Sequence, residues 1–271
     1  MGYGIALNLL KHNYKLSIIK HKNPKPIVKL VKNGAKEEFN YKNLVKSKNI
    51  IIICVTNTLI LNRIINKIIP YIEKKTLIID ITTNEINGSN KIYNLLKKNN
   101  ISYTESPVMG GPVQAKEGLL GAMVGCDKKN YDLSKKILSI FCKKVFYFGK
   151  VGNATKAKLI NNYLSLSTAT FAIETIKSAN LMNIKLDKLY GVAKLGSGYS
   201  TAFKRIAENI LKNNYDGYIF TVKNTLKDLR YINEIMKKNP TSKKIAKSLL
   251  NYYKKEVSKG NGDLFISQLA K

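Results

Sequence analysis

Histidine is scarce in this chain: His12 and His21 are the only two, and both lie near the start. A Ser-His-Asp triad or a multi-histidine metal centre would have to be assembled from those two positions, so the sequence speaks against both and against a bound metal. Cysteine is scarce as well. Cys54, Cys126 and Cys142 are odd in number and lack CxxC spacing, which argues against a disulfide framework and a structural zinc site. A reducing cytoplasm is the simplest expectation. No uninterrupted apolar run reaches the ~20 residues of a membrane helix, and the first residues do not follow signal-peptide order.

Arginine is confined to Arg63, Arg205 and Arg230, although 47 Lys+Arg against 17 Asp+Glu give a formal charge of +30. Such a charge usually indicates nucleic acid or an anionic membrane. Here the preferred phosphate fork is nearly absent, and the excess of Lys, Asn, Ile and Tyr is what AT-rich codons supply. The charge is read as compositional drift, not as a nucleic-acid footprint. With 271 residues, 44% of them hydrophobic, the chain can bury the cores of roughly two ordinary domains.

The first half alternates between apolar strands and helical stretches. Helices are expected over Gly4 to Asn13, Pro26 to Asn33, Leu59 to Tyr71 and Gly88 to Lys98. Strands are expected over Leu16 to Ile19, Asn49 to Val55, Thr76 to Ile81 and Ser102 to Glu105. Apolar strands separated by crossover helices imply a doubly wound parallel sheet in an α/β domain. Beyond Val151 no β-branched runs appear, and a helix is expected from about Asn153 to Met182. Its stretch Leu159 to Ile173 carries no charge, so it should be buried between domains or between subunits, as in a homodimer or homotetramer. Further helices break near Gly196 to Ser200, Asn213 to Gly217, Pro240 and Gly260 to Gly262. The domains are placed at 1–150 and 151–271, the second all-α.

Gly2 and Gly4 open the first helix with no strand before them. A dinucleotide fingerprint needs G-x-G-x-x-G, in which the first two glycines make the turn and admit the pyrophosphate. At most the last glycine is present here. About twenty residues on, where an acidic side chain would bind the ribose hydroxyls of NAD, the sequence reads Lys20-His21-Lys22-Asn23. Lys22 at that place favours a 2′-phosphate, hence NADP over NAD.

The residues Ser106-Pro107-Val108-Met109-Gly110-Gly111-Pro112-Val113-Gln114 follow the last of those strands, and Lys158-Leu159-Ile160-Asn161-Asn162 lies on the long helix. With Asp80-Ile81-Thr82-Thr83 and Lys227-Asp228-Leu229 in the same order, the chain resembles the β-hydroxyacid dehydrogenase family, which includes 3-hydroxyisobutyrate dehydrogenase, over nearly its whole length. The resemblance implies a Rossmann-like domain binding NADP or NAD, joined by the long helix to an all-α domain that closes the substrate cleft. It implies an oxidoreductase moving a hydride between the nicotinamide and a small 3-hydroxy acid or its semialdehyde. Lys158 then falls on the family's general acid/base. Gly2, Val55, Thr56 and Thr83 would contact the cofactor, and Lys227 would close over it from the second domain.

The physical case for Lys158 stands beside that resemblance. Lys158 and Asn162 are spaced i, i+4 and share one helix face, and a lysine on an apolar face loses solvation, which moves its pKa toward useful proton transfer. Gly110 and Gly111 would bring backbone amides to a substrate carboxylate. Thr56 and Thr83 could equally be helix N-caps. Met109 departs from the family, which usually has serine there, so the bound acid is expected to carry a different or bulkier group. The missing front of the fingerprint leaves a gap in the middle of the expected sheet. The preferred explanation is a natural start upstream of Met1. The alternatives are a catalytically impaired module that binds polyanions and an N-terminally truncated product.

Overall fold

A computed structural model describes residues 1–20 and 23–271 and divides the chain into two units, Met1–Lys158 and Leu159–Lys271. In the first unit the helices are α1 (Gly2–Lys11), α2 (Lys25–Lys32), α3 (Tyr41–Val45), α4 (Thr58–Ile68), α5 (Ile86–Lys98), α6 (Pro112–Glu117) and α7 (Lys128–Leu138). The strands are β1 (Ser17–Ile19), β2 (Lys36–Glu38), β3 (Ile50–Ile53), β4 (Leu77–Asp80), β5 (Ser102–Glu105), β6 (Val108–Met109), β7 (Leu120–Cys126) and β8 (Cys142–Tyr147). Helix α8 (Asn153–Leu181) starts in this unit and continues into the second.

β3, β4 and β5 are parallel neighbours, Ile53 lying opposite Asp80 and Asp80 opposite Glu105. The isoleucine run of β3 has period-2 alternation: Ile50 and Ile52 pack into the cluster containing Leu77 and Ile79, while Ile51 and Ile53 belong to the one containing Ile78 and Leu61. Both faces of this sheet are therefore covered, as crossover helices require. Two features depart from a simple parallel sheet. β7 runs antiparallel to β5 and β6, because Gly110 (φ +115) and Gly118 (φ +74) reverse the chain on either side of α6. Among the described residues β1 and β2 pair only with each other, so the strands form a two-stranded and a six-stranded sheet.

The second unit is helical. After α8 come α9 (Leu186–Ala193), α10 (Thr201–Ile210), α11 (Val222–Ile235) and α12 (Pro240–Ser258), with a closing 3₁₀ segment Ile266–Ala270. α11 buries Leu229 and Ile232 fully, and α12 buries Tyr253, whose hydroxyl bonds Thr170 on α8 at 2.9 Å. The uncharged stretch of α8 is only partly interior. Leu159, Leu166, Ala169 and Ile173 are buried, whereas Ile160, Leu164 and Phe171 are more than half exposed.

Candidate active site

Lys158 and Asn162 lie one turn apart on α8, and both are buried. Lys158 Nζ donates to Met109 Sδ at 3.1 Å, so the residue standing in the usual serine position contacts the candidate proton-transfer group. Asn162 is fixed in turn: its amide nitrogen donates to Asp228 Oδ2 at 2.8 Å. The other oxygen of Asp228 lies 2.8 Å from Lys227 Nζ, and the Lys227 ammonium also stands over the Tyr231 ring. A fully buried acid thus ties Asn162 to Lys227; the sequence reading quoted Asp228 within the Lys227-Asp228-Leu229 motif and gave a role only to Lys227. The signal available was an acid beside a cation on a helix, which is common on any solvated face.

The glycine pair behaves unequally. Gly110 has φ +115, and a side chain there would meet Leu120 at 2.9 Å, so both conformation and space require glycine. Gly111 starts α6, and its N–H donates to Gln114 Oε1 at 2.9 Å. A carboxylate seeking the Gly111 amide would have to displace that glutamine oxygen.

Glu105 is the second site residue not singled out from the sequence. It ends β5, is 1% exposed, and accepts five hydrogen bonds: from the amides of Gly152 (2.7 Å), Ala154 (2.9 Å) and Thr155 (3.2 Å), and from the hydroxyls of Thr155 (2.7 Å) and Ser89 (2.6 Å). Those amides are the otherwise orphaned donors at the start of α8, where the helix dipole favours negative charge. A Cβ on Gly125 would come within 2.4 Å of Glu105 Oε1, so that glycine leaves the room the carboxylate occupies. Asp80, at the end of the neighbouring strand, is also fully buried. Burial pushes its carboxyl up to about 6, against the opposing hydrogen bonds donated by Thr82, Tyr103 and Asn84.

The carboxyl ends of β3 and β4 lie side by side, the place where a doubly wound sheet receives its ligand. Val55 donates its N–H to Thr82 Oγ1 at 3.3 Å, Thr56 is exposed and Thr83 is half-buried. The N-caps of α4 and α5 are Asn57 and Glu85, so neither threonine serves as a helix cap. Gly2 is exposed in the first turn of α1, which contains no acidic side chain, and a Cβ there would only touch Cys54 at 4.0 Å. A Cβ on Gly4 would strike the Ala115 and Lys116 backbone at 2.6 Å, so Gly4 permits close packing of α1 on α6. The N-terminus of α1 lies near Cys54, just past the end of β3, and a helix N-terminus of this kind favours negative charge. Lys22 lies outside the described residues.

Among the described residues no helix is long and apolar enough to cross a membrane, and no cluster of three or more His, Cys, Asp or Glu could hold a metal ion. Residues 1–149 match the NAD binding domain of 6-phosphogluconate dehydrogenase, and residues 152–271 match the NAD-binding domain of NADP-dependent 3-hydroxyisobutyrate dehydrogenase. A glyoxylate/succinic semialdehyde reductase of Arabidopsis thaliana is 27% identical over 270 residues, covering 98% of this chain and 93% of the relative. A 3-hydroxyisobutyrate dehydrogenase structure from Mycobacterium tuberculosis, with L-serine, superposes with a TM-score of 0.87 at 17% identity over 100% of this chain and 94% of that one. Another, from Salmonella typhimurium, gives 0.88 at 20% identity over 99% and 95%. The two family matches, which between them take in both units, make the chain a member of the NAD(P)-dependent hydroxyacid dehydrogenases that include 3-hydroxyisobutyrate dehydrogenase.

Proposed function

We propose that this protein interconverts a small 3-hydroxy acid and its semialdehyde, with Lys158 as general acid/base. The observation that carries the reading is the buried lysine on α8, held at Met109 beside Gly110 and followed one turn later by an asparagine fixed on Asp228. The nicotinamide, when bound, supplies or accepts the hydride. In the reductive direction Lys158 Nζ gives its proton to the aldehyde oxygen as that oxygen gains charge. In oxidation it takes the hydroxyl proton back. Asn162 would orient the same oxygen, its amide being held by Asp228. Gly110 offers a backbone amide to the carboxylate where no side chain intrudes. Met109 supplies a thioether where a hydroxyl would donate, which favours a substrate with less polar surface beside the carboxylate.

Lys22, basic where the sequence of an NAD-selective relative would be expected to carry an acid, favours NADP over NAD, and Lys227 is assigned to the cofactor. The domain roles follow the same division, 1–150 for the dinucleotide and 151–271 for the substrate. The semialdehyde of 3-hydroxyisobutyrate, the acid named for several relatives, is the first substrate to assay, with succinic semialdehyde, named for the Arabidopsis relative and reduced to a 4-hydroxy acid, as the comparison. Lys158→Ala should lower kcat by about 1000-fold while NADPH titration by fluorescence is unchanged. A variant as active as the parent would overturn the assignment, and equal affinity for NADH would remove the NADP preference. A non-catalytic polyanion-binding module is the less favoured reading, since the named relatives are reductases and dehydrogenases.

The three unpaired cysteines fit a reducing compartment, and we assign the cytoplasm. The exposed Ile160, Leu164 and Phe171 on α8 form an apolar stripe suited to a second copy of the chain. Light scattering should return a dimeric mass or a multiple of it, and Leu164→Glu should yield monomer. A monomeric parent protein would end that assignment.

A further inference from the structure

We propose that Glu105 is a positioning residue for Lys158, a role that rests on the reading of Lys158 as the proton-transfer group. Both partners of the Lys158–Met109 contact are reached from Glu105 by short, stiff paths. In one direction the chain leaves Glu105 through Pro107 to Met109, and β6 is pinned on β7 by Val108 opposite Ala122 and Met109 opposite Gly121. In the other, the carboxylate takes the amides of Gly152, Ala154 and Thr155, and Lys158 follows Thr155 by three residues along the same helix. One buried carboxylate therefore fixes the thioether and the ammonium relative to each other.

The seat is specific to a carboxylate. Its Oε1 faces three amide donors and its Oε2 faces two hydroxyls, so the side chain acts only as acceptor. A glutamine would turn an N–H₂ group against donors on one side or the other. Space is fixed as tightly: Gly125 leaves no Cβ in the way, and Gly152 turns into α8 at φ +95. A carboxylate that only held the domain together would need neither this proximity to the lysine helix nor its own exit into the Met109 segment.

The test uses the full chain with NADPH and the semialdehyde of 3-hydroxyisobutyrate, and compares Glu105→Gln, Thr155→Val and Gly125→Ala with the parent. Glu105→Gln should lower kcat by about 100-fold at nearly unchanged KM for NADPH, because displacing a reacting group by about 1 Å costs that much. Acetylation by acetic anhydride, mapped peptide by peptide, should rise at Lys158 relative to the other lysines. Thr155→Val removes one of the two hydroxyl donors and should move both readouts the same way by less. General destabilisation would raise labelling at many lysines together. The proposal is overturned if the variant that folds, Glu105→Gln or else Thr155→Val and Gly125→Ala, keeps kcat within about twofold of the parent or labels Lys158 no faster relative to the rest. Full activity of Lys158→Ala would instead sink the lysine reading, while selective labelling in Glu105→Gln would still report the seat.

Discussion

The buried acids at the ends of β4 and β5 and those on the helices of the second unit are held by opposite means. In the first, Asp80 and Glu105 lie at adjacent strand ends, and their hydrogen bonds come from amides, hydroxyls and an asparagine. In the second, Asp228 and Glu256 each meet a lysine, Lys227 at 2.8 Å and Lys259 at 2.7 Å. In a chain with 47 Lys+Arg, cations were available everywhere, so neutral donors around the sheet reflect geometry. Strand ends and a helix N-terminus present backbone N–H groups in fixed directions, which hold a carboxylate without long flexible side chains. Helix faces offer no such donors, and there the long lysine stem reaches the acid.

That contrast predicts pH dependences of opposite sign. The Asp80 carboxyl is raised by burial from 3.8 to about 6, so its contribution to stability is complete below its unfolded value and is lost as pH rises through 6. The stability advantage of wild type over Asp80→Asn, measured by urea unfolding, should fall by about 3 kcal/mol between pH 3.5 and pH 7. For Glu256, burial raises the carboxyl, but Lys259 and Asn261 outweigh it and hold the group below its usual range. Its contribution is present above the unfolded value and is lost as pH falls through the folded one. Glu256→Gln should therefore flatten the acid limb of the stability curve, by less than Asp80→Asn changes the neutral limb, because Lys259 is half exposed. Two variants with the same sign of pH effect would break the comparison.

Much of this was legible in the sequence because it is written in local periodicity. β5 falls at Ser102–Glu105 and α8 starts at Asn153, as the apolar pattern and the glycines before the helix indicate. β2 was not legible: Lys-Glu-Glu has no strand preference, and Lys36–Glu38 is extended because it pairs with Ser17–Ile19. β7 was hidden for a related reason, its Leu-Gly-Ala-Met-Val-Gly-Cys run being too rich in small residues to distinguish from the glycine loop before it. In the site, spacing alone placed Lys158 and Asn162 on one face. Glu105 was missed and Asp228, quoted within its motif, was given no role, because what marks them is burial among distant donors, and contacts spanning 16 to 66 residues leave no trace in a local window.

The division of strands into two sheets bears on how the first unit opens. β1 and β2 share three residue pairs, and the nearby core is the small cluster of Leu7, Leu30 and Ala35 with Tyr3, Ala6, Leu10 and Ile18 around it. β4, in contrast, is hydrogen-bonded on both edges and buried throughout. The unit therefore contains a weakly tied foldon beside a strongly tied one, and the free energy of local opening should differ between them. Amide hydrogen exchange will read it: protection at Ser17–Ile19 should be lost well before protection at Leu77–Asp80, and a single exchange class across both would mean that the two sheets melt as one.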